Sequence, residues 1–62
     1  MIGRVIDKQK EMLIVESFGD LSSARCSDFE VAVGDWVIVE SGFVVDIVSE
    51  AEALQMMQAS EL

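Results

Sequence analysis

The chain has 62 residues, 12 of them Asp or Glu and 4 Lys or Arg, with no His, which gives a formal net charge of -8. One domain at most fits in this length, and such a chain buries only about 60% of the surface its unfolded form exposes, which excludes a large enclosed active site. The acidic excess repels phosphate and so argues against nucleic-acid and anionic-membrane binding, both of which draw affinity from clustered Lys and Arg.

The first two thirds are dense in Val and Ile and are interrupted by Gly, Asp or Ser at the spacing of short antiparallel strands. Residues 2–7 read as a first strand, residues 8–10 as a charged turn, and residues 12–18 as the second strand of a hairpin. Gly19-Asp20 ends it. Leu21, Ala24 and Cys26 fall in a Ser-rich third segment, an irregular strand or one with a bulge. The run Val31-Ala32-Val33-Gly34-Asp35-Trp36-Val37-Ile38-Val39 joins a tight turn to a fourth strand. Gly34 can supply positive φ, Asp35 can hydrogen-bond nearby backbone, and Val37 and Val39 then share a face. Ser41-Gly42 makes the next turn and residues 43–48 the fifth strand. Five short strands without Pro predict a mainly β fold, a small five-stranded OB-like barrel whose closure removes exposed edges. Ser49 with Glu52 three residues on is a capping box, and the Ala, Leu, Met, Glu and Gln that follow predict a C-terminal α-helix of about three turns. Glu50 and Glu52 suit the positive end of its dipole. Ala53, Leu54, Met57 and Leu62 recur at helical spacing as one apolar stripe. The chain is thus a single domain, residues 1–62, with the barrel over about 1–48 and the helix over about 49–60.

Cys26 is the one cysteine, so no internal disulfide forms and a reducing, cytoplasmic location is expected. No run approaches the ~20 apolar residues that span a bilayer, and residues 1–4 lack the apolar core of a signal peptide. A catalytic thiol needs a base, and without His, Cys26 reads as a small buried hydrophobe. Asp28 with Glu30, and Glu50 with Glu52, could offer oxygen ligands, but their spacing matches no calcium loop, and solvated faces explain them more simply, so no metal or cofactor is expected. The usual acid-base and nucleophilic constellations cannot be assembled, and the chain reads as a non-enzyme. Trp36 and Phe43 are the largest apolar anchors, with at least one expected in the core. Met56 and Met57 project about 100° apart on a helix, so one is presented outward unless a shallow groove buries both. An exposed Met56 beside Leu62 would suit a docking surface.

Several of these segments also resemble a known family. Gly3-Arg4-Val5, Phe18-Gly19, Val33-Gly34-Asp35-Trp36-Val37-Ile38-Val39 and Gly42-Phe43, followed by the acidic Ala-rich tail, resemble in order the anchors of the HypC/HybG/HupF family of nickel-iron hydrogenase maturation chaperones. The resemblance implies an OB-like barrel with a C-terminal helix. It also implies a protein-binding scaffold whose partners are HypD and the precursor of the hydrogenase large subunit, and whose cargo is an iron-dicyanide-carbonyl unit. Family members begin Met-Cys with a Pro before the Gly-Lys/Arg, and carry a His two residues before the Gly-Phe; here Met1-Ile2-Gly3-Arg4 and Glu40 stand instead. Two accounts fit the missing Cys-Pro, a natural start upstream of Met1 or a divergent paralogue, and Glu40 favours the second. A carboxylate prefers hard cations to low-spin iron, so iron carriage by the usual residues is not expected. By resemblance the partner-binding residues are Met1, Ile2, Gly3, Arg4 and Val5 of the first strand with Glu40, Gly42 and Phe43 near the last turn; Met56 joins them from the helix reading. The alternative is a barrel that self-associates or forms a subunit of a larger assembly, since small barrels often bury too little surface alone. A third reading, a small-ligand barrel resembling the molybdate-binding domains, is opposed by the acidic balance and the lack of a basic cradle.

Overall fold

Alternation of Val and Leu with polar residues sets which side of each strand faces inward, and the barrel follows from it. The computed structural model describes residues 1–26 and 29–59. Its elements are β1 (Ile2–Gln9), β2 (Met12–Ser17), β3 (Asp20–Arg25), β4 (Trp36–Glu40), β5 (Phe43–Val48) and α1 (Glu50–Ala59). The strands close in the order β1-β2-β3-β5-β4, with β4 returning to β1. Every pairing is antiparallel except β3 with β5, which meet at the single parallel pair Arg25 and Phe43. This is the OB-like barrel with a closing helix that the sequence predicts.

Val5, Leu13, Val15, Ala24, Cys26, Val31, Val37, Val39 and Val44 form the core, with Ile47 packed against it. No aromatic side chain is among them. Trp36 is half-buried and Phe43 is 55% exposed, so the expectation of an aromatic plug is not met. The period of two explains this: Val37 and Val44 point inward, which turns their neighbours Trp36 and Phe43 outward. A barrel of five short strands is narrow enough for Val and one Leu to fill.

Strand ends differ from expectation by a few residues. β1 continues to Gln9 and the turn falls at Lys10 and Glu11. β2 stops at Ser17, because Phe18 and Gly19 both take positive φ, 51° and 85°, as a two-residue hairpin loop that suits the strand twist requires. Ser41 and Gly42, at 54° and 82°, make the same kind of loop between β4 and β5. β3 is regular, pairing with β2 over six residues without a shift. The irregularities fall instead between Val5 and Asp7 of β1 and opposite Ile38 and Val39 of β4. The extra residues there, Ile6 and Val45, are turned outward, 42% and 49% exposed. Bulges of this kind sharpen the local twist, which lets a sheet this small close.

The turn before β4 is held as the sequence predicts. Gly34 has φ of 100°, its N–H donates to Val5 O at 2.8 Å, and Asp35 Oδ2 accepts from Ala32 N–H at 3.0 Å. At the helix start, Glu52 N–H donates to Ser49 Oγ at 3.1 Å, and the Ser49 hydroxyl lies 3.1 Å from Glu52 Oε1. α1 packs on β1 and β4 through a narrow stripe. Ala53 is fully buried and Met57 partly so, whereas Leu54 is 45% exposed and leaves the predicted stripe. Leu62 and Asp28, which entered the sequence reading, lie outside the described residues.

Candidate protein-interaction site

The first residue extends the β1–β4 ladder rather than trailing from it. Met1 donates from its amino group to Val39 O at 2.8 Å and accepts from Val39 N–H at 2.7 Å. Its ammonium also lies 4.0 Å from Glu40 Oε1. Both groups are partly exposed, so this pair contributes less than about 1 kcal/mol and serves mainly to fix a corner. Ser17 Oγ donates to Ile2 O at 2.7 Å and ties the end of β2 to the same corner.

Beside it lies an open groove of about 430 Å³ lined by Met1, Ile2, Ser17, Phe18, Met56 and Met57. Met56 is 40% exposed and Met57 half-buried, which matches the expected divergence of two adjacent helical side chains. Phe18 is 67% exposed, because the positive φ of its turn directs the ring away from the barrel. From sequence, Phe18 stands at the end of the second strand and Phe18-Gly19 serves as a family anchor, and Phe18, Ser17 and Met57 are not among the expected contact residues. An aromatic residue at the tip of a two-residue hairpin was the signal that could have found the first of them.

The predicted site residues therefore divide. Met1, Ile2 and Met56 share the groove, and Glu40 adjoins it through the Met1 ammonium. Gly42 and Phe43 line a second, smaller groove of about 280 Å³ with Met12, Ser23, Arg25 and Ser41 among its walls. Arg4 is exposed on β1 between Glu16 of β2 and Trp36 of β4. Val5 is 1% exposed and sits in the core. Gly3 is buried where β1 passes close to β2, and a Cβ placed on it would meet Val15 Cγ1 and come 2.8 Å from Glu16 O. Those two residues hold the strand in place and offer no side chain to a partner.

The donor chemistry at the corner is an amine, a carboxylate and thioethers. Among the described residues no group of three or more His, Cys, Asp or Glu could hold a metal ion. Cys26 is free and buried, its thiol donating to Phe29 O at 3.1 Å, and it lines neither groove. Its surroundings are those of a small hydrophobe. Among the described residues no helix is long and apolar enough to cross a membrane.

A comparison with protein families matches residues 2–60 to the HupF/HypC family. A comparison with curated proteins gives no match.

Proposed function

The chain belongs to the HupF/HypC family, and from that premise we propose that it is a non-enzymatic scaffold of hydrogenase maturation that docks on its partners in the cytoplasm and leaves the iron unit to them. The observation that carries the reading is the family match, which runs through both the N-terminal strand and the turn after β4. Its proposed partners are a HypD-like protein and the precursor of a hydrogenase large subunit. Met1, Ile2, Glu40 and Met56 at the corner, Gly42 and Phe43 in the second groove and Arg4 on the outer face of β1 make the contact, supported by their exposed or half-exposed positions.

The iron unit is cargo, and its chemistry argues for custody by the partner. Soft thiolate and neutral imidazole suit low-spin iron, while carboxylate oxygen suits hard cations. The chain has no His, Glu40 stands where the family carries one, and its thiol is buried in the core. A free thiol also fits a reducing compartment. The test is anaerobic mixing of the purified chain with an iron-loaded HypD-like protein and, separately, with the large-subunit precursor, followed by separation and iron analysis of each component. A stable complex whose iron stays with the partner is expected. Iron recovered on the separated chain would overturn the division of labour, and the absence of a complex with either partner would overturn the scaffold reading.

Self-association is the second reading, favoured by exposed Phe18, Leu21, Val33 and Phe43 and opposed by the net charge of -8 on every copy. Sedimentation velocity over a tenfold concentration range decides it; a constant monomer mass excludes the assembly.

A further inference from the structure

The direction of β3 leaves part of one barrel edge without a neighbour. β3 and β5 meet in parallel at Arg25 and Phe43, so β5 accompanies the chain after Arg25, while residues 20–24 run back past the start of β5. Arg25 N–H donates to Gly42 O at 2.8 Å across this seam, and Cys26 N–H donates to Glu11 O at 2.8 Å on the opposite side, toward β2. Alternate residues of a strand present their backbone groups to the same edge. Leu21 and Ser23 therefore aim their N–H and C=O groups at the seam, where among the described residues no strand pairs with them.

Three further features make this edge receptive. It is straight, since the β2–β3 pairing runs without a shift, and it carries no Pro or Lys, the usual guards of an exposed edge. The side chains at residues 22–24 are small. The smaller groove of about 280 Å³ lies at the Ser23 end of this edge, with Met12 and Phe43, 38% and 55% exposed, as apolar walls for a side chain of an incoming strand. Charge selects the occupant. Asp20 begins β3, Glu16 is the cross-strand partner of Leu21, and Glu40 leads into the Ser41-Gly42 wall of the groove; Arg25, Arg4 across from Glu16 and the Met1 ammonium 4.0 Å from Glu40 lie among them, so the net charge of the whole chain makes the selection. A second copy would bring another net charge of -8, whereas a basic strand brings the opposite sign.

We propose that the β3 edge at Leu21 and Ser23 accepts an extended, Lys- or Arg-bearing segment of a partner protein as an added strand. Main-chain bonds to the two residues supply the affinity, and the groove and the net charge of -8 supply the selection. The proposal rests on the scaffold reading and names the form of partner it engages.

Amide exchange of the isotope-labelled chain, followed by NMR, tests it with two probes: a blocked nine-residue peptide alternating Val with Lys, and its Glu counterpart. In the free chain the Leu21 and Ser23 amides should exchange at least about tenfold faster than those of Ser22 and Ala24, which face β2. Saturating Lys peptide should slow them about tenfold and the Glu peptide should not. Ser23→Lys, at an exposed position that keeps the fold, and Ser23→Pro, which removes one seam donor, should each abolish the slowing at the Leu21 amide. Protection of Leu21 and Ser23 in the free chain, equal effects of both peptides, or Lys-peptide changes confined to the Met1–Met56 groove would each overturn the proposal. Undiminished binding of the maturation partner by Ser23→Lys would overturn the edge as its docking place and leave the scaffold reading intact. Failure of the unaltered chain to bind that partner, with peptide protection retained, would overturn the scaffold reading and uphold the edge.

Discussion

Replacing Gly3 by Ala isolates the close approach on which the barrel corner depends. The added Cβ would press on Val15 Cγ1, a side chain that is itself fully buried, and lie 2.8 Å from the Glu16 carbonyl oxygen, a backbone atom that cannot rotate away. Overpacking of this kind costs about 1–3 kcal/mol, and contact with fixed backbone places Gly3→Ala at the upper end, about 3 kcal/mol. Ala also narrows the unfolded ensemble and returns roughly 0.5 kcal/mol, which leaves a net loss near ~2.5 kcal/mol. A domain of this size holds only ~3–9 kcal/mol in all, so Tm should fall by about 10–20 °C. Gly42→Ala is the control. Nothing lies within 4 Å of its Cβ, so only the φ of 82° opposes it, at about 1 kcal/mol. Thermal unfolding followed by far-UV circular dichroism reads both variants under identical conditions. A Gly3→Ala midpoint no lower than that of Gly42→Ala would refute the account of β1 packed hard against β2.

Three further outcomes follow from the same contacts. Leu13→Ala, at a fully buried position and among the largest side chains of the core, should lose about 2–5 kcal/mol in urea denaturation, whereas Phe43→Ala, at 55% exposure, should lose under about 0.5 kcal/mol. Equal losses would contradict the inward and outward assignment. Ser49→Ala removes the acceptor of the Glu52 N–H and should cost about 1 kcal/mol, read as a lower urea midpoint at unchanged slope. Arg4→Glu sets an acid beside Glu16 on the barrel surface and should cost about 0.5 kcal/mol, a Tm loss of only a few degrees, while weakening partner binding by about tenfold in a calorimetric titration; unaltered affinity would remove Arg4 from the site.

What the sequence made legible was whatever depends on local periodicity. Val37 and Val39 alternate cleanly, Gly34 and Asp35 carry their own turn chemistry, and Ser49 with Glu52 announces the helix, and each stands where it was expected. What it hid depends on strands far apart in the chain. Phe43 looked like a plug because its bulk is visible in one dimension, while its outward direction follows from its neighbour Val44 turning into the core. The bulges at Ile6 and Val45 carry no residue signature, since any apolar residue can be the one turned out. The site was legible in the same uneven way. The adjacency of Met1 to Val39 joins residues 38 apart in sequence, and the open edge at Leu21 and Ser23 exists only because β3 and β5 meet at their ends.

The central claim is that this barrel serves hydrogenase maturation by holding proteins and not iron. Its most direct test is anaerobic affinity capture of the tagged chain from its own cells, with mass spectrometry and iron analysis of the eluate. A HypD-like protein or a hydrogenase large-subunit precursor should co-elute, with any iron following that partner when the two are separated. Recovery of the chain alone, or with subunits unrelated to hydrogenase assembly, would contradict the account.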